Sequence, residues 1–328
     1  DLELFNLSGP TMQDLSAAFT QPAIDALKSS LRPFDQSLAA INADDANVAA
    51  YLYFYQLPEP NRDLDVFVGR IEVNQTSIFS VAWQPAVSRG TAIVVHGYTD
   101  HTGLFNHLIQ ELLDRQLTVV CFDLQGHGLS SGDYGDIADF ADYVTVLESV
   151  MAIATEKFPG PQHAVGQSMG GAVLLNYLIK SGNSSPFASI NLLAPLLQPS
   201  GWAFKRWLYR LTHKYRRSLK RVFRPSSLDK RFLDFVRFTD PLQQTELPVT
   251  WVGALDQWVQ EFKGAKGCPQ RVNLIQGCAD KTLDWRANLR VFKQKIPALQ
   301  VHLIDRANHH LVNEIQPLRD KIFAALEL

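Results

Sequence analysis

Three cysteines, Cys121, Cys268 and Cys278, are all that the 328 residues contain, too few and too scattered for a disulfide framework or a metal knuckle. Cys121 lies in an apolar, strand-like run, where a thiol serves as a small buried hydrophobe, and a Cys268–Cys278 bridge has no supporting signal. No apolar run approaches membrane-spanning length, and no basic-then-apolar signal segment is visible. The chain starts at Asp1 without a methionine, so removal of a leader or tag before this numbering stays open. The expected location is the cytoplasm, with peripheral contact at a membrane. Charge of either sign is not in excess: a net charge of -2, with 20% charged and 46% hydrophobic residues, fits a soluble globular enzyme and gives no pull toward nucleic acid. Internal repeats and low-complexity tracts are also missing, which excludes solenoids and fibrous arrays. His96, His101 and His107 have no carboxylate or cysteine set at ligand spacing beside them, so neither a metal nor another cofactor is expected.

What is present is an alternation of short apolar runs with helical patterns. Residues 1–58 carry apolar positions at helical spacing over 12–19, 23–31 and 35–41, between Pro10, Pro22 and Pro33, and predict a helical N-terminal extension. From Asp65 the period becomes two, and the runs 66–73 and 77–83 predict an antiparallel hairpin. Runs at 91–96, 117–123, 163–166 and 189–194 then alternate with helical patterns over 104–115, 137–158 and 169–180. That is the pattern of a parallel, helix-covered sheet. After an interruption it resumes with strands at 271–277 and 300–304 and helices over 283–296 and 311–328, for eight strands in all. The expected organisation is one α/β core, residues 59–195 and 269–328, carrying an inserted cap at 196–268.

The cap reads almost entirely as helix, without strand alternation. Its first part holds Lys205, Arg206, Arg210, Lys214, Arg216, Arg217, Lys220, Arg221 and Arg224 with no acidic residue between Gly201 and Arg224, interleaved with Trp202, Phe204, Trp207 and Tyr209. A basic helix with an aromatic face can lie on an anionic membrane or cover an anionic substrate. Equally, its apolar side can pack on the core while the charges are solvated.

The chemistry concentrates around Gly166-Gln167-Ser168-Met169-Gly170, between an apolar run and a helical pattern. A serine there sits on a sharp strand-to-helix turn, where strand and helix come too close for side chains at the two glycines. Its hydroxyl is a weak nucleophile at neutral pH and requires a base and an acid to orient that base. In the order serine, acid, histidine, the acid is Asp280, directly after the strand ending at Gly277; Asp284 is the alternative, inside the next helical pattern. The base follows the last strand, where His309 and His310 are adjacent; His309 is preferred, with His310 as a flanking helix-start residue. An oxyanion hole would combine the N–H of Met169, at a helix N-terminus, with that of Tyr98 in the loop after the third strand. A second glycine-rich stretch, Gly126 to Gly132, fails as a dinucleotide fingerprint because it does not open directly into a helix.

Taken together, His96-Gly97-Tyr98-Thr99-Asp100-His101, Phe122-Asp123-Leu124-Gln125-Gly126-His127-Gly128, Gly166-Gln167-Ser168-Met169-Gly170-Gly171, Gly277-Cys278-Ala279-Asp280 and His309-His310-Leu311 resemble the α/β-hydrolases of the monoglyceride lipase and lysophospholipase type. Phe238-Thr239-Asp240-Pro241 and Pro248-Val249-Thr250-Trp251 look like the bacterial lysophospholipase branch. The resemblance implies an α/β-hydrolase fold with a helical cap. It also implies Ser168 as nucleophile, Asp280 as acid, His309 as base and the Tyr98 and Met169 amides as oxyanion hole. Two departures stand out: His310 occupies a position where the family usually has glutamate, and the N-terminal extension lies outside the match. The expected function is hydrolysis of a monoacyl lipid, with a short-chain carboxylesterase or a non-catalytic binding protein on the same fold as rivals.

Overall fold

A computed structural model describes residues 19–41, 45–158, 160–182 and 185–328. Its centre is a sheet built from β1 (Arg32–Pro33), β2 (Leu64–Val73), β3 (Thr76–Pro85), β4 (Thr91–Val95), β5 (Thr118–Phe122), β6 (Gln162–Gln167), β7 (Phe187–Leu193), β10 (Val272–Gly277) and β11 (Leu299–Ile304). The order is β1-β2-β3-β5-β4-β6-β7-β10-β11. The β2–β3 and β3–β5 pairs are antiparallel and the others parallel. The hairpin turn is Asn74-Gln75, both with positive φ (48° and 65°), the two-residue geometry whose twist matches that of paired strands.

Alternation along the strands feeds two apolar layers. Val66, Val68, Phe79, Val81, Trp83, Ala92 and Val94 face one side, and Phe67, Ile71, Ile78, Ala82, Ile93 and Val95 the other. The helix Phe140–Lys157, capped by the Asp139 carboxylate on Ala141 N–H, and the helix Met169–Ser181 cover one face. The helices Asn106–Asp114 and Gln316–Ala324 cover the opposite one.

Against the expectation of eight strands there are nine in this sheet among the described residues, because the N-terminal extension contributes β1, paired through Arg32 with Gly69 and Pro33 with Arg70. A two-residue edge strand ending in proline carries no readable period. Among the described residues, the extension's helices are Gln21–Ser30 and Ala46–Phe54. Residues 35–41 are not helical as expected: the Asp35 carboxylate accepts from Ser37 N–H (2.8 Å) and Ser37 O–H (2.6 Å), and fixes a turn instead. Most of the helix expected over 12–19 lies outside the described residues. The extension is tied inward by Tyr55, whose hydroxyl donates to Asp240 (2.8 Å) and whose ring packs on His101 and Phe235.

Between β7 and β10 lie the helices Trp202–Thr212, Lys230–Phe238 and Val249–Gly264, and a ribbon of β8 (Ser218–Lys220) with β9 (Glu246–Pro248). The ribbon is the departure from a segment read almost entirely as helix; three residues are too few to show alternation. At the C-terminus the single helix expected over 311–328 is split into a 3-10 turn, Leu311–Asn313, and the helix Gln316–Ala324, which starts around Pro317 as proline's missing N–H allows.

Candidate active site

Ser168 stands between β6 and the helix Met169–Ser181 with φ 52° and ψ -109°, a conformation that costs a non-glycine residue about 1–3 kcal/mol. The surroundings enforce it. Ser168 N–H donates to Leu193 C=O (2.8 Å), while its own C=O accepts from Leu196 N–H (2.9 Å) and Ala172 N–H (3.2 Å). A Cβ at Gly166 would lie 2.7 Å from the Gly170 backbone, and one at Gly170 would collide with Val95 C=O. The glycines are therefore needed for the close approach of strand and helix.

His309 follows β11 and points back at the elbow, with Nε2 2.9 Å from Ser168 Oγ and Nδ1 2.8 Å from Asp280 Oδ2. Because the carboxylate can only accept, Nδ1 carries the proton and Nε2 is left to accept one from the serine. Asp280, just past β10, is held by four donors: Thr282 N–H (2.8 Å) and Leu283 N–H (3.1 Å) on Oδ1, His309 Nδ1 and the Gln276 amide (3.1 Å) on Oδ2. Burial pushes this carboxyl up, but the charge and hydrogen bond of His309, the Leu283 N–H and the Gln276 amide outweigh it and hold it below the usual range. For His309, burial lowers the imidazole, and the Asp280 charge, the bond to it and the charge of Asp100 more than reverse this. Ser168 and His309 are each only 8% exposed.

The alternatives fall elsewhere. Asp284 is the N-cap of the helix Trp285–Lys295, accepting from Ala287 N–H. His310 pairs through Nε2 with Asp100 Oδ2 (3.2 Å), packs on Phe232, and flanks a helix start as the N-cap of the 3-10 turn Leu311–Asn313. Met169 opens its helix, so its N–H is one of the first-turn donors without an intrahelical partner. Gly97, which precedes Tyr98, lies beside Ser168, where a Cβ on it would be 3.4 Å from Ser168 Cβ. The Tyr98 ring stacks on Trp251 of the cap (centroids 3.8 Å apart) and its hydroxyl donates to Gly135 C=O (2.8 Å).

His96 and His101 are engaged with partners other than Ser168. His96 bonds Gly97 C=O through Nδ1 and accepts from Leu124 N–H through Nε2, and burial lowers its pKa to about 3. His101 Nε2 donates to Asp240 Oδ2 (3.0 Å). The Gly126–Gly132 stretch is a scaffold: buried Asp123 accepts from Leu129 N–H and, across the loop, from Thr102 N–H. Sequence reasoning missed Gln276, Gln167, which donates to His309 C=O (3.0 Å), and the Asp100–His310 pair. An amide at a strand end carries no signal of its partner.

Above the site, the helix Trp202–Thr212 buries only Trp202, while Phe204, Trp207 and Leu211 are 65%, 56% and 55% exposed. Beyond Trp202, which joins the core, these apolar side chains are thus not packed on it. Arg206 is drawn onto Asp256 (2.7 Å), whereas Lys205, Lys214, Arg216 and Arg217 face solvent. Among the described residues no helix is long and apolar enough to cross a membrane.

Known proteins share parts of this sequence and its fold. The chain is 32% identical over 97 residues to a monoacylglycerol lipase of Mycolicibacterium smegmatis, covering 29% of this chain and 35% of the relative. It is 32% identical over 123 residues to the human monoglyceride lipase, covering 37% of this chain and 40% of the relative. The match thus spans about a third to two fifths of these relatives' own length. Among solved structures, the monoacylglycerol lipase of Paleococcus ferrophilus superposes with TM-score 0.65 at 20% identity, over 76% of this chain and 96% of that one. A soluble variant of the Saccharomyces cerevisiae monoglyceride lipase in complex with a substrate analogue gives 0.66 at 18%, over 78% and 91%. These likenesses establish the α/β-hydrolase fold. By its match over residues 86–316, the chain belongs to the Hydrolase_4 family, described as serine aminopeptidase, S33.

Proposed function

We propose that this chain is a serine ester hydrolase acting on monoacyl lipids, a monoacylglycerol or a lysophospholipid. The observation that carries the reading is the continuous relay from Ser168 Oγ through His309 (2.9 Å) to Asp280 (2.8 Å) on a strained elbow. Ser168 Oγ attacks the ester carbonyl carbon while His309 Nε2 takes its proton, and the Asp280 carboxylate stabilises the imidazolium that forms. The carbonyl oxygen becomes an oxyanion facing the N–H groups of Tyr98 and Met169; one such donor is typically worth about 100- to 1000-fold in turnover. Collapse breaks the carbon–oxygen ester bond, and His309 returns the proton to the departing alcohol. Water then gives a proton to His309 and attacks the acyl-enzyme, which releases the fatty acid and restores Ser168.

The substrate class is supported by the monoacylglycerol and monoglyceride lipases among the relatives and by the cap. Its exposed aromatic residues, flanked by lysines and arginines without an acid between Gly201 and Arg224, suit an anionic lipid surface from which a single-chain ester would be drawn. An acyl-chain series tests the reading: monoacylglycerols, lysophospholipids and a short p-nitrophenyl ester, each with wild type and Ser168→Ala. Turnover that rises with chain length and disappears in Ser168→Ala is expected. A preference for the shortest ester would favour a small-ester carboxylesterase, and no hydrolysis of any ester would favour a binding protein.

A further inference from the structure

We propose that two buried glutamines, Gln167 and Gln276, are positioning residues that fix the base and the acid of this relay in register with the serine. The claim rests on the serine-hydrolase reading above. Gln167 is the last residue of β6 and directly precedes Ser168; it is buried, and its Nε2 donates to the main-chain carbonyl of His309 at 3.0 Å. A carbonyl can only accept, so the orientation of the amide is not in question. The bond joins the nucleophile's own strand to the loop that carries the base. Placement of His309 Nε2 against Ser168 Oγ is thereby set through one residue and one hydrogen bond rather than through the long chain path between them.

Gln276 does the corresponding work for the acid. Buried on β10 four residues before Asp280, it donates Nε2 to Asp280 Oδ2 (3.1 Å) and to Gly277 C=O (3.1 Å), so both amide protons are spent on pure acceptors. Oδ2 is also the oxygen that accepts from His309 Nδ1. A second donor on it fixes the carboxylate plane and draws off negative charge that would otherwise hold the imidazole proton more tightly. Neither glutamine reaches the serine hydroxyl, so both act through His309 and Asp280. Gln167 keeps its Oε1 buried with no protein partner among the described residues, so the one protein bond of its side chain is the one to His309 C=O.

The test compares wild type with Gln167→Met, Gln276→Met and Gln276→Glu, taking Ser168→Ala as the background rate. Methionine keeps the volume; glutamate keeps the shape and adds charge. For Gln276→Met, kcat should fall roughly ten- to a hundred-fold, as loosened placement near a reacting atom does, with KM within about two-fold. The acid limb of kcat/KM should move to higher pH, because an Asp280 with one donor fewer raises the pKa of His309, and Gln276→Glu should move it further. Gln167→Met should lower kcat by a similar factor with the limb in place. Variants that keep wild-type kcat and an unmoved limb would overturn the proposal, as would losses matched by an equal loss of folded protein. Wild-type activity no higher than that of Ser168→Ala would instead sink the underlying hydrolase reading.

Discussion

Replacing Tyr55 by phenylalanine removes one oxygen from the joint between the N-terminal extension, the loop after β4 and the cap. The ring contacts with His101 (5.0 Å), Phe235 (6.0 Å) and Phe54 (4.7 Å) survive the change, so only the 2.8 Å hydrogen bond to Asp240 Oδ1 is lost. Burial and the charge of Asp240 push the tyrosine hydroxyl well above its ordinary pKa, which keeps it a donor at any working pH. A hydrogen bond to a charged group contributes about 1.5–3 kcal/mol. Asp240 Oδ1 retains Leu242 N–H, and Oδ2 retains His101 and the Gln243 amide, so the low end applies, about 1.5–2 kcal/mol. With an unfolding entropy of about 2.1 cal/mol/K per residue over 328 residues, the thermal midpoint should drop by about 2–3 °C. In an Asp240→Asn background the same substitution should cost less than about half as much, which a double-mutant cycle by calorimetry would show. An unchanged midpoint, or strictly additive effects, would refute the idea that this bond joins the three elements.

His309→Ala should lower ester hydrolysis by about four to six orders of magnitude, and His310→Ala, which strips Asp100 of its partner but leaves the relay intact, by about ten-fold or less; a dead His310→Ala would reverse the assignment. Because His309 must be neutral to accept the serine proton and its pKa is raised above the ordinary 6.5, the protonated form persists to higher pH; the acid limb of kcat/KM should therefore lie above 6.5, and a limb well below it would contradict the pairing with Asp280. Reversing Lys205, Lys214, Arg216 and Arg217 to glutamate should abolish sedimentation with anionic vesicles at low salt, at about 1 kcal/mol per charge near the surface, and leave hydrolysis of a soluble ester unchanged. Arg221 is spared because it donates to Gln243 Oε1 (2.8 Å) and Gln244 C=O (3.0 Å) within the cap; a wild type that ignores such vesicles would end the membrane reading.

The α/β order of elements was legible because apolar runs follow one another with helical patterns between them: β2 alternates exposed and buried residues over 70–73, β3 is a continuous buried run at its centre, and the helix Met169–Ser181 follows its strand at once. The residues of the candidate site were legible where the pattern is local in sequence, as in Gly166-x-Ser168-x-Gly170 and in a carboxylate just beyond a strand end. What stayed hidden depends on contacts distant along the chain. Tyr55 meets Asp240 across 185 positions, and Gln167 meets His309 across 142; no periodicity encodes either. Short elements escaped for a related reason, since β1, β8 and β9 have two or three residues each.

The central claim, that Ser168 is the nucleophile, is tested most directly by covalent labelling with a fluorophosphonate followed by peptide mass spectrometry. One adduct per chain is predicted, on the peptide that contains Ser168, with none in Ser168→Ala and strongly slowed labelling in His309→Ala. An adduct on another residue, or undiminished ester hydrolysis by purified Ser168→Ala, would contradict it.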